Sequence, residues 1–443
     1  MVVQRRSRVD NQPKYTRADV EALVSQYDEP QWLSDFRFEA WDLYESLPMP
    51  GHEEEWRRTD YSHIQWQDAS NKIVPNGATV DTVPQKNLEP LVGGQQGGLL
   101  VFVDGKLVQN DVADELIQQG VVFKDLHTAL KENEEIVREY FMTQAVKPTD
   151  GKFAALHGAL WDHGVVLYVP KNKAIEQPLH VVMYNTKDGS HLAHMLVVIG
   201  ENAQATLQVD YASADGSTNS AYIGATELIV GDAANLRYVA LQEWNRQTYE
   251  FSHQRAMVGR DANLDWVIGN MGTRLTKAFI EVDIVGAGSN ARVSGFFFAD
   301  KDQFFDLDTQ QNHNAPLTTS DLLFKGAAKD HARTLWQGMI KSLPKMQKID
   351  GYQVCRNLVL SPDARMDSIP GLEIEADDVM CSHAATFGTL EEELLYYLMS
   401  RGIPRPEAQL MIIDGFFDEL LQRIPFERVR ERLQSEIEAK ILG

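Results

Sequence analysis

Between His180 and Thr386 one short phrase keeps returning: a glycine, a small residue three positions later, then larger and mostly apolar residues at offsets of five and seven. It reads Gly200/Ala203/Ala205/Leu207, Gly231/Ala234/Leu236/Tyr238, Gly259/Ala262/Leu264/Trp266 and Gly286/Ser289/Ala291/Val293, and the glycines step by 31, 28 and 27 residues. Alternation of period two inside a phrase that recurs at this spacing is what a coiled parallel sheet requires, because each circuit must bring its strands back beside those of the previous one. Looser copies at Lys329/Ala332/Thr334/Trp336 and Ser361/Ala364/Met366 extend the series. An antiparallel sandwich of short strands would instead carry turn signals roughly every 8 to 12 residues. The spacing therefore predicts a mainly β chain whose core, residues 151–388, is a parallel β-helix.

Composition narrows what such a coil can do. A chain of 443 residues, 43% hydrophobic and 24% charged, has room for two or three domains and a large core. Lys plus Arg number 42 against 64 Asp plus Glu, a formal charge of −22. That balance repels phosphate backbones and anionic lipid, so no nucleic acid and no membrane surface is expected as a partner. No stretch approaches the roughly 18 consecutive apolar residues of a membrane span, and Met1–Arg6 lacks an apolar signal core, which predicts a cytoplasmic protein. Two cysteines, Cys355 and Cys381, make no disulfide framework and no Cys-x-x-Cys zinc pattern.

On either side of the coil the pattern is helical. Residues 1–150 read as a mainly helical cap: Thr16 with Asp19 opens one helix, Pro30 opens a second, and Leu47-Pro-Met-Pro-Gly51 stops it. Gly98 to Val108 reads as a hairpin about Asp104-Gly105, followed by short helices over 112–118 and 133–142. The apolar stretch Phe153 to Pro170 reads as β-rich, with Val165 to Pro170 as the first rung; a helical cap over that open edge is physically expected. Residues 389–443 form a helical domain. Thr389 with Glu392 suggests a capping box, Gly402 and Pro404 end that helix, and further helices cover 406–421 and 426–442. Such a terminal pair either packs on its own domain or docks a partner.

Most catalytic signatures are absent. Gly105-Lys106 and Gly151-Lys152 lack the rest of a P-loop, Gly286-Ala-Gly288 lacks the helix of a dinucleotide site, and neither Gly-x-Ser-x-Gly nor His-Glu-x-x-His occurs. The cysteines are the exception. Cys381 and His383 stand two apart, so in a strand they share a face, and Cys355 precedes them by 26 and 28 residues, about one turn of the coil. On that spacing Cys355 stacks on the neighbouring strand and two thiols converge with an imidazole, a set suited to iron, zinc, copper or an iron–sulfur cluster. The bland alternative is that the thiols are small buried hydrophobes and the histidine a satisfied polar group.

Several motifs together carry a resemblance. Leu47-Pro-Met-Pro-Gly-His-Glu-Glu-Glu-Trp-Arg-Arg-Thr-Asp60, Asn312-His-Asn-Ala-Pro-Leu-Thr-Thr-Ser-Asp321, Tyr352-Gln-Val-Cys-Arg-Asn-Leu358, Asp377-Asp-Val-Met-Cys-Ser-His-Ala-Ala-Thr386 and Tyr397-Leu-Met-Ser-Arg-Gly-Ile403 resemble the SufB/SufD family of the SUF iron–sulfur cluster assembly system, on its SufD side. The resemblance runs from about Pro30 to Leu421. It implies a right-handed parallel β-helix between helical regions, pairing with SufB or with a second copy of the chain, and recruitment of the ATPase SufC through Leu394, Leu395, Leu398, Arg401, Gly402, Ile412 and Phe416. It also implies a non-catalytic scaffold that holds no cofactor stably alone but meets a transient iron–sulfur cluster at the subunit interface. His383 matches the SufD histidine implicated there and Cys381 a nearby cysteine; these two are the metal-ligand candidates. Where SufB carries Glu-His-Glu this chain has Ser382-His383-Ala384, and Cys355 falls at the position of the SufB scaffold cysteine. The competing reading is a stand-alone β-helix enzyme of the polysaccharide lyase or acyltransferase type. It would call for a signal peptide and an acidic calcium-binding cluster, or a strict six-residue repeat.

Overall fold

The computed structural model describes residues 11–51, 53–66, 78–89, 97–214 and 219–442; Met1–Arg6 and His52 of the readings above lie outside them. The recurring phrase is a stack of turns. In each copy the residue two after the glycine is left-handed (Asn202, Ala233, Asp261 and Gly288, φ 52°, 55°, 54° and 77°). In the first three copies the small residue's N–H closes back on the glycine carbonyl at 3.1–3.4 Å, while Ser289 uses its hydroxyl instead. The glycine is needed where neighbouring turns touch: a Cβ on Gly286 would lie 1.9 Å from Arg260 N, and one on Gly231 2.9 Å from Ile199 O. Ala203, Ala234, Ala262 and Ser289 are buried under the next coil.

From these turns the chain winds two sheets. The first runs in the order β2 (Lys106–Val112), β1 (Gly98–Val103), β5 (Leu179–Asn185), β8 (Gln204–Ser213), β10 (Asn235–Glu243), β12 (Asn263–Asn270), β14 (Asn290–Ala299), β16 (Thr319–Ala328), β18 (Ile349–Val359), β20 (Val379–Thr389). The second runs β19 (Arg365–Ile374), β17 (Arg333–Ser342), β15 (Phe304–His313), β13 (Leu275–Ile284), β11 (Thr248–Val258), β9 (Ser220–Val230), β7 (Ala193–Ile199), β4 (His163–Val169), β3 (Val122–Asp125), with β6 (Gly189–His191) also beside β9. Pairing within the coil is parallel; β1 with β2 and β3 with β4 are antiparallel. The register from β8 to β14 steps by 31, 28 and 27 residues, as the glycines do. Inward rows such as Leu207, Tyr238, Trp266, Val293, Phe324 and Trp336 fill the space between the sheets. The mainly β solenoid expected from the spacing is therefore what forms, and it makes about eight turns.

A mixed, partly helical region leads into the coil: α1 (Arg17–Tyr27), α2 (Gln31–Ser46), α3 (Gln85–Leu88), α4 (Asp114–Gln118), α5 (Leu126–Glu132), α6 (Glu134–Tyr140) and α7 (Lys152–Leu160). Thr16 and Asp19 do make a capping box. The helix α7 corrects the β-rich reading of Phe153 onward. Its Lys-Phe-Ala-Ala-Leu-His-Gly-Ala-Leu sequence is buried on all sides, and a fully buried helix has no polar face to betray its period. It is clamped by the buried Arg37, which pairs with Glu29 at 2.7 Å, donates to the carbonyls of Ala159 and Trp161, and stacks on the Trp161 ring. After the coil come α8 (Glu392–Ser400), α9 (Arg405–Leu421) and α10 (Glu427–Leu442). Thr389 is not the cap of α8: it ends β20, and Glu391 takes the N-cap position. Gly402 at φ 89° follows α8 as expected.

Replacing Gly286 with Ala should force the turn stack apart and cost roughly 1–3 kcal/mol. Urea unfolding should show this as a lower midpoint at unchanged slope.

Candidate functional site

The two ends of the solenoid differ. At the entry end the sheets finish on the antiparallel strands β2 and β3, with helical elements packed around them; at the exit end they finish on β20 and β19, which carry no further strand. The last inward rows therefore face out along the coil axis. Gln353 on β18 identifies that inward face, because it is fully buried and its amide reaches across to the carbonyls of Gly338 and Gly371 in the other sheet. His383 lies opposite Gln353 on β20, so it projects from the same face, yet it is exposed because no further coil covers it. Leu372 (39% exposed) and Phe387 (53%) are the corresponding apolar side chains of β19 and β20.

The three sequence candidates share this face but do not stack. The register between β18 and β20 is 30 residues, so Cys355 lies opposite Ala385 and Cys381 opposite Gly351. The expected 26- or 28-residue turn was borrowed from the earlier coils, but β18 has 11 residues where β10 and β12 have 9 and 8, which lengthens its circuit. With strands about 4.8 Å apart and about 3.3 Å per residue, the Cα atoms of Cys355 and Cys381 are about 14 Å apart, and those of Cys355 and His383 about 8 Å. The convergence of two thiols and an imidazole is thus corrected. Among the described residues no group of three His, Cys, Asp or Glu side chains could hold a metal ion.

Each candidate has a distinct environment. Cys355 is fully buried beside Asn357 (Sγ to Oδ1 3.6 Å), and burial pushes its thiol up to about 12. Cys381 is half-buried and burial also raises it, while the Gly351 backbone pulls the other way. Asn357 Nδ2 donates to Ser368 Oγ and Thr386 O, holding β18, β19 and β20 together around the buried thiol.

The helix candidates divide by exposure. The helices α9 and α10 lie on the outer face of the first sheet: Ile413, Phe417, Leu420, Val429, Leu433 and Ile437 pack against residues such as Phe296, Phe298 and Leu323. The helix α8 is different, with Leu395 buried but Leu394 (42% exposed), Tyr396 (74%), Tyr397 and Met399 facing out. Leu398, Ile412 and Phe416 are half-buried, and Arg401 and Gly402 are exposed. Phe416 is tied down through its carbonyl, which accepts from Lys325 at 2.8 Å.

Sequence reasoning missed the charged clusters beneath the segments that cross the outer faces. On the second sheet Lys277 is buried between Asp306 (3.1 Å) and Asp308, with Glu55 O also accepting from its Nζ and Thr59 bonded to Asp306. On the first, Arg432 of α10 binds Asp210 through two bonds of 2.8 and 2.9 Å and reaches Glu243. Period-two alternation in Lys277/Phe279 and Asp306/Asp308, combined with the coil step, is the signal that could have paired the first set.

The site is thus set on a two-sheeted solenoid with one covered end, one bare end and a partly exposed apolar helix following the bare end. Comparison with known proteins names the kind. The model of the SUF system FeS cluster assembly SufBD core domain matches residues 182–416, and that of the SufBD protein N-terminal region matches residues 17–181. An iron–sulfur cluster assembly SufBD family protein of Staphylococcus epidermidis is 31% identical over 412 residues, covering 90% of this chain and 87% of the relative. Family proteins of Staphylococcus haemolyticus and Staphylococcus aureus are 30% and 29% identical over 420 residues, each covering 92% of this chain and 89% of the relative. The chain belongs to the SufBD family of iron–sulfur cluster assembly proteins. The stand-alone lyase or acyltransferase reading finds no support in this membership. No helix among the described residues is long and apolar enough to cross a membrane.

Alkylation of the folded chain with iodoacetamide should label Cys381 while sparing Cys355, and both should react in denaturant. Peptide mapping after a timed quench reads the difference, and equal rates in the native state would contradict the burial described here.

Proposed function

We propose that this chain is the SufD-type member of a SUF assembly complex: a non-catalytic cytoplasmic scaffold that pairs through its bare coil end and recruits the SufC ATPase through its C-terminal helices. The observation that carries the reading is the asymmetry of the coil. A strand edge with exposed Leu372 and Phe387 beside His383 is a surface that a second SufB/SufD-type chain can continue, by strand pairing and apolar contact. SufB or a second copy of this chain fits that chemistry equally. Ser382-His383-Ala384, in place of Glu-His-Glu, favours the SufD side of the family.

In this reading His383 supplies an imidazole to a transient iron–sulfur cluster at the interface, as ligand or proton carrier, and the other ligands come from the partner. The spread of Cys355, Cys381 and His383 along the face supports that division, since among the described residues no three such ligands meet at one point. Cys355, buried with a raised thiol, is assigned to packing; Cys381 stands nearer the rim. Residues Leu394 and Leu398 with Arg401, Gly402, Ile412 and Phe416 belong to the α8–α9 surface offered to SufC, and Leu395 supports it from beneath.

Coexpression with SufB- and SufC-type partners tests both surfaces. His383→Ala should leave the complex intact on gel filtration and cut iron and sulfide content by an order of magnitude; an undiminished cluster yield removes the role. Leu394→Asp places a carboxylate on the exposed face of α8, so it should abolish copurification of the ATPase while the chain itself melts at an unchanged temperature.

A further inference from the structure

The outer face of the second sheet carries a cleft of about 510 Å³ between the segment 47–56 and the strands β11, β13, β15, β17 and β19. Its floor is two rows of side chains, one running from His253 to Ile369 and the other from Arg255 to Gly371, each taking one residue from every strand. Five strands about 4.8 Å apart make a groove roughly 19 Å long and two side chains wide. That size is within the range of small-molecule sites.

Charge varies along the groove. At the β11–β15 end one guanidinium serves three carboxylates: Arg255 lies 3.0 Å from Asp150, 2.6 Å from Glu281 and 3.8 Å from Asp283. Beside it one ammonium, Lys277, serves two, Asp306 and Asp308. The other cations nearby already have partners. Lys152 donates to the carbonyls of Tyr44 and Leu47, Lys341 pairs with Glu373, and Arg58 at the rim pairs with Glu54 and donates to Gln337 on the floor at 3.3 Å. His253 adds no positive charge at neutral pH, since burial pushes it down to about 4. Burial raises Glu281 in spite of Arg255, and burial with Asp306 alongside raises Asp308 to about 7 in spite of Lys277. Towards β19 the floor turns apolar with Ile369 and with Met339, whose methyl packs over Gly371. The wall already receives a cation, because Lys277 Nζ sits 5.4 Å from the Trp56 ring and 4.8 Å from the Phe279 ring.

We propose that this groove binds an aliphatic ammonium or guanidinium group carried on an apolar stem, its charge set at Glu281 and Asp308 and its stem laid over Met339 and Ile369. A free linear polyamine and a lysine or arginine side chain of a partner protein share that chemistry. This site is on the outer wall rather than on the inward rows of the bare end, although it reaches the terminal strand β19, and it stands independently of the scaffold reading.

Isothermal titration of the full chain with spermidine, and separately with a blocked Lys-Val-Lys peptide, tests it. Because the chain carries a net charge of −22, diffuse ion attraction must be told apart from a site. Saturable binding at one site per chain should weaken roughly tenfold in Glu281→Gln and be unchanged in the distant Glu393→Gln. Met339→Lys should place a resident ammonium in the groove and block the probe without lowering the melting temperature; it serves where Glu281→Gln fails to fold. Spermidine binding with this pattern supports a free polyamine ligand, and peptide binding alone supports a partner's side chain. The proposal is overturned if neither probe saturates below millimolar concentration, or if the distant variant weakens binding as much as the groove variants.

Discussion

Each coil is held to the next by a backbone ladder, and a ladder has two ends. Unpaired N–H and C=O groups on a terminal strand invite pairing with another chain unless something blocks them. At the entry end this chain blocks them itself, turning β2 and β3 antiparallel against the coil and packing helices nearby. At the exit end the two edges are treated differently. The edge strand β19 carries Pro370, which has no N–H to offer, and an Arg365–Asp367 ion pair, whereas β20 runs from Val379 to Thr389 without a proline or a charged carboxylate or ammonium. Of the two, β20 is the edge left able to accept a strand, and it is also the one that bears Cys381 and His383.

How much of this was legible in the sequence follows from which forces act locally. The glycine-led turns declare themselves because each needs a left-handed residue and a close approach between neighbouring turns, constraints met by residue type at fixed spacing. The coil register from β8 to β14 could be read from them to the residue. It failed at Cys355 because β18, at 11 residues, is longer than β10 and β12, at 9 and 8, so the 30-residue circuit outran the borrowed period along the strand. The helix α7 was misread because burial on all sides erases amphipathic period, and Thr389 because strand β20 continued through a sequence that also resembles a helix start. That His383 and Cys381 share a face could be read from the i, i+2 rule alone. The exposure of His383 could not, since that depends on the coil ending there.

The outer faces were least legible, because their contacts join residues separated by 222 positions or more, such as Lys277 with Glu55, Arg432 with Asp210 and Thr59 with Asp306. Buried ion pairs of this kind add little net stability, since desolvation offsets most of the attraction, but a mismatched charge there is expensive. Their effect is to fix position. The helix α10 can lie on the first sheet where Arg432 meets Asp210 and Glu243 and Lys440 meets Asp300, and a shifted helix would strand these groups.

With α9 and α10 fixed in this way, a run of exposed apolar side chains remains along one stretch of chain near the end of the coil. Met380 and Phe387 on β20 are followed, after Leu390 and Glu391, by Leu394, Tyr396, Tyr397 and Met399 on α8. Across the gap Arg405 at the start of α9 pairs with Glu392 at the start of α8, so α8 joins the fixed α9 to the bare β20 edge. A protein seated on α8 and a protein seated on β20 would therefore contact opposite ends of the same short segment. Neither could bind without meeting the backbone that positions the other.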